Sequence, residues 1–172
     1  MPFGGHARGS HAYRRLLAAL FFAGIATFAQ LYSPQATLPE IASEFDVDAA
    51  ASALTISAAT LGLAVGVIPW SAVADRLGRV RAMTIAITTA TVFGLAVPFT
   101  PWFGMLLAGR FVEGLMIGGV PAVAIAYLTE EVEPRSAARA AGTYVAGTTI
   151  GGLSGRLIAG PAGQWLGWRT GV

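Results

Sequence analysis

The chain has 172 residues, of which 55% are hydrophobic and 12% are charged, with a mean hydropathy of +0.64. Soluble domains contain roughly 25% charged residues, so this chain carries about half of the usual share. Charged residues are absent from the segments 16–39, 49–74 and 82–109. Each segment is longer than the roughly 20 apolar residues that a helix needs to cross a bilayer. The composition therefore excludes a soluble protein and predicts an integral membrane protein surrounded by the lipid bilayer.

The composition also argues against several kinds of functional site. The chain has no cysteine, which excludes disulfides and thiolate metal sites. His6 and His11 lie in a polar tail without carboxylate or cysteine neighbours, so we assign them no metal. No nucleophile and base are paired in the sequence, and we therefore predict no enzyme activity and no cofactor. The net charge of +2 is explained by arginines in the cytoplasmic loops of a membrane protein. It therefore indicates no nucleic-acid partner.

Five segments are predicted to cross the membrane as α-helices, because they are continuously apolar and rich in alanine, glycine and leucine. They cover residues 16–37, 53–74, 82–99, 105–127 and 140–162. Residues 1–13 form a tail before them, and residues 163–172 have the composition of a loop and the start of a sixth helix. The first segment is longer than a signal-peptide core and has no cleavage site behind it. Pro134 separates the last two helices, and the fold class is all-α.

The distribution of arginine predicts the orientation of the helices. The chain has 11 basic residues, all arginine, and eight of them lie in the N-terminal tail and in the loops 75–81 and 129–139. The loop 40–49 on the other side contains four carboxylates and no arginine. Positively charged loops remain in the cytoplasm. The N-terminus is therefore predicted to be cytoplasmic, in a multi-pass protein of the plasma membrane.

A charged motif stands between the second and third predicted helices, in the sequence "SAVADRLGRVRAM" at 71–83. A solvated loop would explain its arginines, but not the spacing of Asp75, Arg76, Gly78, Arg79 and Arg81. The core Asp-Arg-x-Gly-Arg at this position resembles the hallmark motif of the major facilitator superfamily of secondary transporters. The resemblance implies the N-terminal half of a twelve-helix protein. It also implies that this loop latches the two halves together on the cytoplasmic side.

Three other segments resemble the same family. "RFVEGLMIGG" at 110–119 is similar to its helix-4 motif, and "GTTIGGLSGR" at 147–156 is similar to the glycine-rich fifth helix of efflux-type members. "LYSPQATLPEIASEF" at 31–45 resembles the end of helix 1 in bacterial efflux facilitators. Residues 14–172 are therefore expected to form an incomplete N-terminal six-helix domain, whose partner is the missing C-terminal half. The implied carrier is an inner-membrane antiporter.

Arg110 and Glu113 are the first candidates for substrate or proton binding. They stand three residues apart, on one face of a helix. Ionisable groups within a bilayer are costly and usually face a cavity or a partner. Alternatively, the two groups simply neutralise each other, or Arg110 extends to the membrane surface. Glu113 is the better candidate for protonation, because burial favours its neutral form while Arg110 favours the charged form.

A second group of candidates combines Gln30, Tyr32 and Gln35 with Arg156. The first three form an unusually polar patch at the end of helix 1, and we expect them to line the substrate cavity. The alternative is that they merely lie near the outer membrane interface, which tyrosine tolerates well. Arg156 follows the glycines of helix 5. It could bind a substrate anion, pair with Glu113 or extend to the membrane interface.

Glycines recur in the fourth and fifth predicted helices, at Gly114, Gly118, Gly147, Gly151 and Gly155. A spacing of four residues places small residues on one helix face, which lets neighbouring backbones approach closely. We therefore predict that these glycines pack helices together. Direct contact of the fifth-helix glycines with substrate is the less favoured alternative.

The leading functional hypothesis is a proton-coupled exporter of a small molecule. By resemblance, its two halves would alternate around a site near the membrane midplane. Two rival hypotheses remain at this stage. Because the sequence stops at "GWRTGV", the chain is expected to be truncated, and it would then be a non-transporting fragment. It would otherwise be a small membrane protein that acts through helix–helix association, for which the glycine faces would suffice.

Overall fold

A computed structural model describes residues 5–6 and 8–171 of the chain. This part is almost entirely helical, without a β-strand, which confirms the all-α class. The helices are α1 (His11–Tyr32), α2 (Leu38–Phe45), α3 (Ala49–Leu77), α4 (Arg79–Ala96), α5 (Phe103–Ile117), α6 (Pro121–Glu131), α7 (Pro134–Leu166) and α8 (Trp168–Gly171). Short 3₁₀ turns, Ser33–Ala36 and Val97–Phe99, extend α1 and α4. Residues 1–4 and 7 of the predicted tail, and residue 172, lie outside the described residues.

Four segments of the described chain are long and apolar enough to cross a membrane. They are His11–Ala36, Ala49–Leu77, Arg79–Phe99 and Phe103–Glu131. The fifth predicted span lies in α7, whose 33 residues extend roughly 50 Å at 1.5 Å per residue. This helix is long enough for the roughly 30 Å hydrocarbon core. However, it is not among the four, because glycine, serine, threonine and arginine interrupt its apolar residues.

The helices begin earlier than the apolar segments that predicted them, and α3, α6 and α7 also end later. Thus α1 begins at His11, where the hydroxyl of Ser10 accepts a hydrogen bond of 3.1 Å from the amide of Tyr13. This contact is a typical N-cap. At the start of α3, a carboxylate oxygen of Asp48 caps the amide of Ala51 in the same way, at 2.6 Å. Apolar length indicates the membrane-embedded part of a helix, whereas capping residues decide where the helix begins.

The short helix α2 was not predicted, because its four neighbouring carboxylates indicated only a loop. It ends at Phe45, and the next residue, Asp46, adopts a left-handed conformation with φ of 51°. Its buried residue Ile41 packs with Val97, Leu106 and Trp168. The helix therefore covers the ends of α4 and α5. We call this side of the bundle the α2 end, and the side with the turn between α3 and α4 the turn end.

The span predicted over 105–127 corresponds to the segment Phe103–Glu131, but its helix is interrupted between α5 and α6. Pro121 has no amide hydrogen and cannot donate to the carbonyl of Ile117. The chain makes tighter bonds instead, such as the one of 3.0 Å from the amide of Val120 to that same carbonyl. The indole of Trp70 lies beside Gly119, and its Nε1 donates to the carbonyl of Leu115 at 3.0 Å. The break therefore admits an aromatic ring from α3.

Glycines line the seam between α1 and α7, which we call the first seam. Gly147, Gly151 and Gly155 lie against the backbone carbonyls of Phe21, Ile25 and Ala29, respectively. A β-carbon on any of the three would collide with the carbonyl oxygen that faces it. On the α1 side, Gly24 lies against the backbone of α7 at Tyr144 and Thr148. Close backbone contact through small residues is a main source of helix association in lipid.

A second seam joins α3 and α5 in the same manner. Gly62 and Gly66 of α3 face the carbonyls of Phe111 and Leu115. In return, Gly114 and Gly118 of α5 face the carbonyls of Ala59 and Leu63. The glycines of each helix thus pack against the backbone of the other helix. Helix α4 packs on the outside of α5 and, less extensively, on α3.

The first seam predicts opposite effects for two substitutions on α7. In Gly151→Ala the new methyl group would meet the backbone of Ile25, and overpacking of this kind costs about 1–3 kcal/mol. In Gly142→Ala the methyl group would meet nothing within 4 Å, and alanine favours the helix by about 1 kcal/mol over glycine. The midpoint of thermal unfolding in detergent should therefore fall for the first variant and hold or rise for the second. Equal midpoints would contradict the seam.

Candidate functional site

The charged motif at the turn end is organised by Gly78, which lies between α3 and α4 with φ of 89°. Glycine adopts this conformation at little cost. The sharp turn brings the last turn of α3 to the first residue of α4. As a result, Nη1 of Arg79 lies 2.7 Å from a carboxylate oxygen of Asp75. The side chain of Asp75 remains 65% exposed, so it is accessible to a further partner.

Arg79 also binds Glu130, near the end of α6. Its Nη2 and Nε donate to the two carboxylate oxygens at 2.8 and 3.2 Å. This two-pronged contact is the strongest geometry for an arginine and a carboxylate. Arg76 and Arg81 are exposed, and neither makes an ion pair within residues 5–6 and 8–171. The structure therefore separates Asp75 and Arg79, which join α3, α4 and α6, from the other two arginines.

The sequence did not identify Glu130 as a partner of Arg79. The available signal was the acidic run "TEEVEP" at 129–134, which was interpreted only as a polar break between helices. Acidic residues at a loop that otherwise carries arginine are a reason to search for an ion pair. Which of the carboxylates binds depends on how α6 lies against α4, and one sequence does not contain that information.

Arg110 and Glu113 form an ion pair in the interior of the bundle. Nη1 of Arg110 lies 2.6 Å from a carboxylate oxygen of Glu113, and each side chain is 1% exposed. Nη2 of Arg110 donates to the backbone carbonyl of Leu31 at 2.7 Å. Carbonyls in the last turn of a helix have no partner within the helix, and they attract positive charge. Arg110 therefore joins α5 to the end of α1 and does not extend to the surface.

One carboxylate oxygen of Glu113 has no hydrogen-bond partner within the described chain. It faces Gly94 of α4, beside the side-chain amide of Gln30. That amide donates to the backbone carbonyl of Ala90 at 3.1 Å. A cavity of about 280 Å³ opens next to Glu113. Its polar lining consists of Gln30, Ser33, Thr91, Glu113 and Ser154. A buried carboxylate with an unsatisfied oxygen beside a cavity can exchange a proton.

Arg156 is brought together with the polar patch of helix 1. Its Nε donates to the amide oxygen of Gln35 at 2.6 Å, and its guanidinium carbon lies 4.7 Å from the centre of the Tyr32 ring. The contact with the ring is a cation–π interaction. Of the open alternatives, pairing of Arg156 with Glu113 is not what the structure contains, since Glu113 binds Arg110. Gln30 lies apart from this group, beside Glu113.

A third ionic group lies at the α2 end and was not predicted. Nη2 of Arg169 lies 2.6 Å from Glu44, and the indole of Trp168 donates to the same carboxylate. Phe45 stands between the rings of Trp168 and Phe103. The group fastens α8 to α2. Within the described part of the chain, no cluster of His, Cys, Asp or Glu is grouped so as to hold a metal ion.

Comparison with known proteins identifies the fold. The family model described as Major Facilitator Superfamily matches residues 20–172. The chain belongs to the major facilitator superfamily. It is 39% identical to the inner membrane transport protein YnfM of Escherichia coli over 94% of this chain and 39% of that protein. It is 37% identical to the uncharacterized MFS-type transporter YybF of Bacillus subtilis, over 94% of this chain and 40% of that protein.

Other relatives are named for the compounds that they carry. The cis,cis-muconate transport protein of Acinetobacter baylyi is 28% identical over 94% of this chain and 39% of its own length. The chain thus spans about 40% of the length of these relatives. No solved structure matches it significantly. Membership of this family confirms a multi-pass membrane protein of the transporter class rather than an enzyme.

The buried ion pair predicts that removing one partner lowers the stability of the protein far more than replacing both. Glu113→Leu leaves the charge of Arg110 without compensation, which costs about 3–5 kcal/mol for a buried pair. Arg110→Met in the same chain should recover most of that loss, because two apolar side chains replace the two charges. The measurement is a double-mutant cycle of thermal unfolding in detergent. Losses that simply add in the double variant would show that the two side chains are not coupled.

Proposed function

We propose that the protein containing this chain is a secondary carrier that exports a small molecule in exchange for protons. The observation that carries the proposal is the buried Arg110–Glu113 pair beside a cavity, in a chain of the major facilitator superfamily. In such a carrier the two halves rock around a central site, so that the site opens to one side of the membrane at a time. The second half would come from sequence beyond this chain.

Glu113 is the proposed proton-binding group. Protonation of its carboxylate would remove the charge that faces Arg110, although Arg110 would keep its bond to the carbonyl of Leu31. The guanidinium would then be only partly compensated in a buried setting, which is costly. A bound proton therefore favours an arrangement in which Arg110 meets another anion or water. This change in preferred arrangement is what couples proton binding to a conformational step.

The turn end is the proposed cytoplasmic gate. The arginine distribution supports a cytoplasmic N-terminus, which would place Asp75, Arg79 and Glu130 on the cytoplasmic side of the plasma membrane. Arg79 holds α3, α4 and α6 together, while Asp75 stays exposed. By family resemblance, Asp75 would contact the other half of the carrier. The contact would close the cytoplasmic side and break when the site opens inward.

Export of a small molecule is supported by the resemblance of predicted helices 1 and 5 to those of efflux-type members of the family. The first seam has glycines at Gly147, Gly151 and Gly155, as the fifth helix of efflux-type members does, and they pack directly on α1. Relatives named as transporters of cis,cis-muconate and gentisate support an organic compound as the substrate of this carrier as well.

The alternative of a protein that acts by helix association is less well supported. The glycine faces that suggested it are occupied within the chain, by α1 against α7 and by α3 against α5. A glycine face that packs internally is not available to a separate partner helix. Buried ionisable groups such as Arg110 and Glu113 would also lower the stability of a protein that acts by association, without serving that function.

Proton coupling predicts that Glu113→Gln abolishes exchange. Inverted membrane vesicles containing the protein, as its natural reading frame encodes it, are acidified inside and monitored with acridine orange. Addition of gentisate or cis,cis-muconate should release protons from vesicles with the unaltered protein. The Gln variant should not respond, because its amide cannot bind and release the proton. Glu133→Gln, which changes a carboxyl group outside the helices, is the matched control. A Gln variant that responds normally would overturn the role of Glu113.

The gate predicts different effects for two neighbouring residues of the same motif. Asp75→Asn removes the charge that faces Arg79, and it should slow transport several-fold by loosening the closed arrangement. Arg76→Gln should have a much smaller effect, because Arg76 is exposed and makes no ion pair among the described residues. Initial transport rates, corrected for the amount of protein in the membrane, give the comparison. Equal rates for Asp75→Asn and the unaltered protein would refute the gate.

A further inference from the structure

Arg156 differs from Arg110 in how its charge is compensated. Arg110 is compensated by Glu113, whereas Arg156 has no carboxylate within 4.0 Å in the described chain. Its side chain is exposed and lies beside the residues at the end of α1. An uncompensated guanidinium in this position is suited to pairing with an anion. The missing counter-charge is the first sign of a ligand.

The guanidinium of Arg156 is held in a defined orientation. Gln35 accepts from Nε at 2.6 Å, and the centre of the Tyr32 ring lies 4.7 Å from the guanidinium carbon. Gly152 permits this arrangement, because a β-carbon there would lie 3.3 Å from the Tyr32 ring. The two terminal nitrogens of Arg156 donate to no acceptor within the described residues. These two nitrogens are the part of the guanidinium that is suited to a two-pronged contact with a carboxylate.

An apolar strip leads away from this group along α1. The rings of Phe28 and Tyr32 lie 6.2 Å apart with an angle of 45° between them. Both rings, with Leu63 and Met116, are half-buried against a core that includes Leu31. The strip therefore has a positive charge at one end and aromatic faces beyond it. On the other side of α7, exposed residues such as Leu157 and Ile158 are aliphatic, as suits a surface that faces lipid.

We propose that Arg156, Tyr32 and Gln35 bind the carboxylate of a small, flat organic anion. The carboxylate accepts from the terminal nitrogens of Arg156 in a two-pronged contact. The apolar body of the anion lies on the rings of Tyr32 and Phe28. An organic cation is disfavoured, because the site contains a positive charge and no carboxylate among the described residues. This inference rests on the proposed function and names the class of substrate.

The test uses benzoate as the probe and benzyl alcohol as its neutral counterpart. The protein, as its natural reading frame encodes it, is placed in phosphatidylcholine nanodiscs, and binding is measured by titration calorimetry. We expect saturable binding of benzoate and weaker or no binding of benzyl alcohol. Arg156→Gln should weaken benzoate binding by about tenfold or more, the usual effect of losing a charged hydrogen-bond pair. The affinity of Arg156→Lys for benzoate should lie between those of the unaltered protein and Arg156→Gln. Lysine retains the positive charge but lacks the planar guanidinium that binds a carboxylate at two points.

Two further variants separate the site from a general loss of structure. Tyr32→Leu should weaken benzoate binding about threefold to tenfold while the terminal nitrogens of Arg156 remain, because the aromatic face is worth about 0.5–1.5 kcal/mol at such contacts. Arg139→Gln removes an exposed arginine from the same helix, and it should bind benzoate as the unaltered protein does. Unfolding midpoints of all variants show which of them are folded.

The outcomes distinguish this inference from the function on which it rests. Binding of benzoate that depends on Arg156, without proton exchange in vesicles, supports the site and contradicts the carrier. Proton exchange without binding of benzoate, or with binding unchanged in Arg156→Gln, overturns the site and leaves the carrier. Nanodiscs that contain phosphatidylglycerol provide the last distinction. If that lipid abolishes benzoate binding at Arg156, the counter-charge is a lipid phosphate and the substrate assignment is overturned.

Discussion

Close backbone contact at the two glycine seams is the constraint on which the rest of this bundle depends. Lipid supplies no hydrophobic force between helices, so that association relies on tight packing and on polar contacts. The first seam fixes α1 on α7, and the second fixes α3 on α5. The polar groups then meet as a consequence. Tyr32 and Gln35, which follow the α1 side of the first seam, reach Arg156 of α7.

Arg110 and Arg156 illustrate how the compensation of a charge distinguishes a structural arginine from a binding arginine. Arg110 is surrounded by a carboxylate and by helix-end carbonyls that are always present. Its charge is therefore satisfied before any ligand arrives, and only a change at Glu113 alters its state. Arg156 is oriented by neutral groups alone. Orientation without neutralisation leaves a positive charge that an anion can satisfy, which is the arrangement expected of a binding residue.

The sequence predicted the membrane class, the long helices and the family, because each depends on local composition or on a short motif. It also predicted glycine faces, since a four-residue spacing suffices to define one side of a helix. It did not predict the break at Gly118 to Pro121, where the apolar pattern continues although Pro121 cannot complete the helix. An apolar segment conceals such a break, and hydropathy alone does not reveal it.

The partners of the charged residues were beyond sequence reasoning for a different reason. Arg156 and Gln35 are 121 residues apart, and Arg79 and Glu130 are 51 residues apart. Their pairing follows from which helices share a seam, and helical periodicity identifies a face without identifying the helix that it meets. A single chain thus suggests the candidate residues, whereas only the packed bundle decides which of them act together.

The break between α5 and α6 also bears on how the proposed proton site and the proposed gate communicate. Glu113 lies on α5 and Glu130 on α6, and no continuous helix joins them. A change at Glu113 cannot reach Arg79 as the rotation of one rigid rod. Helices α3 and α4 pack against both segments and can carry such a change. Trp70 occupies the break and donates to the carbonyl of Leu115. It therefore ties α3, the helix that carries Asp75, to the segment that carries Glu113.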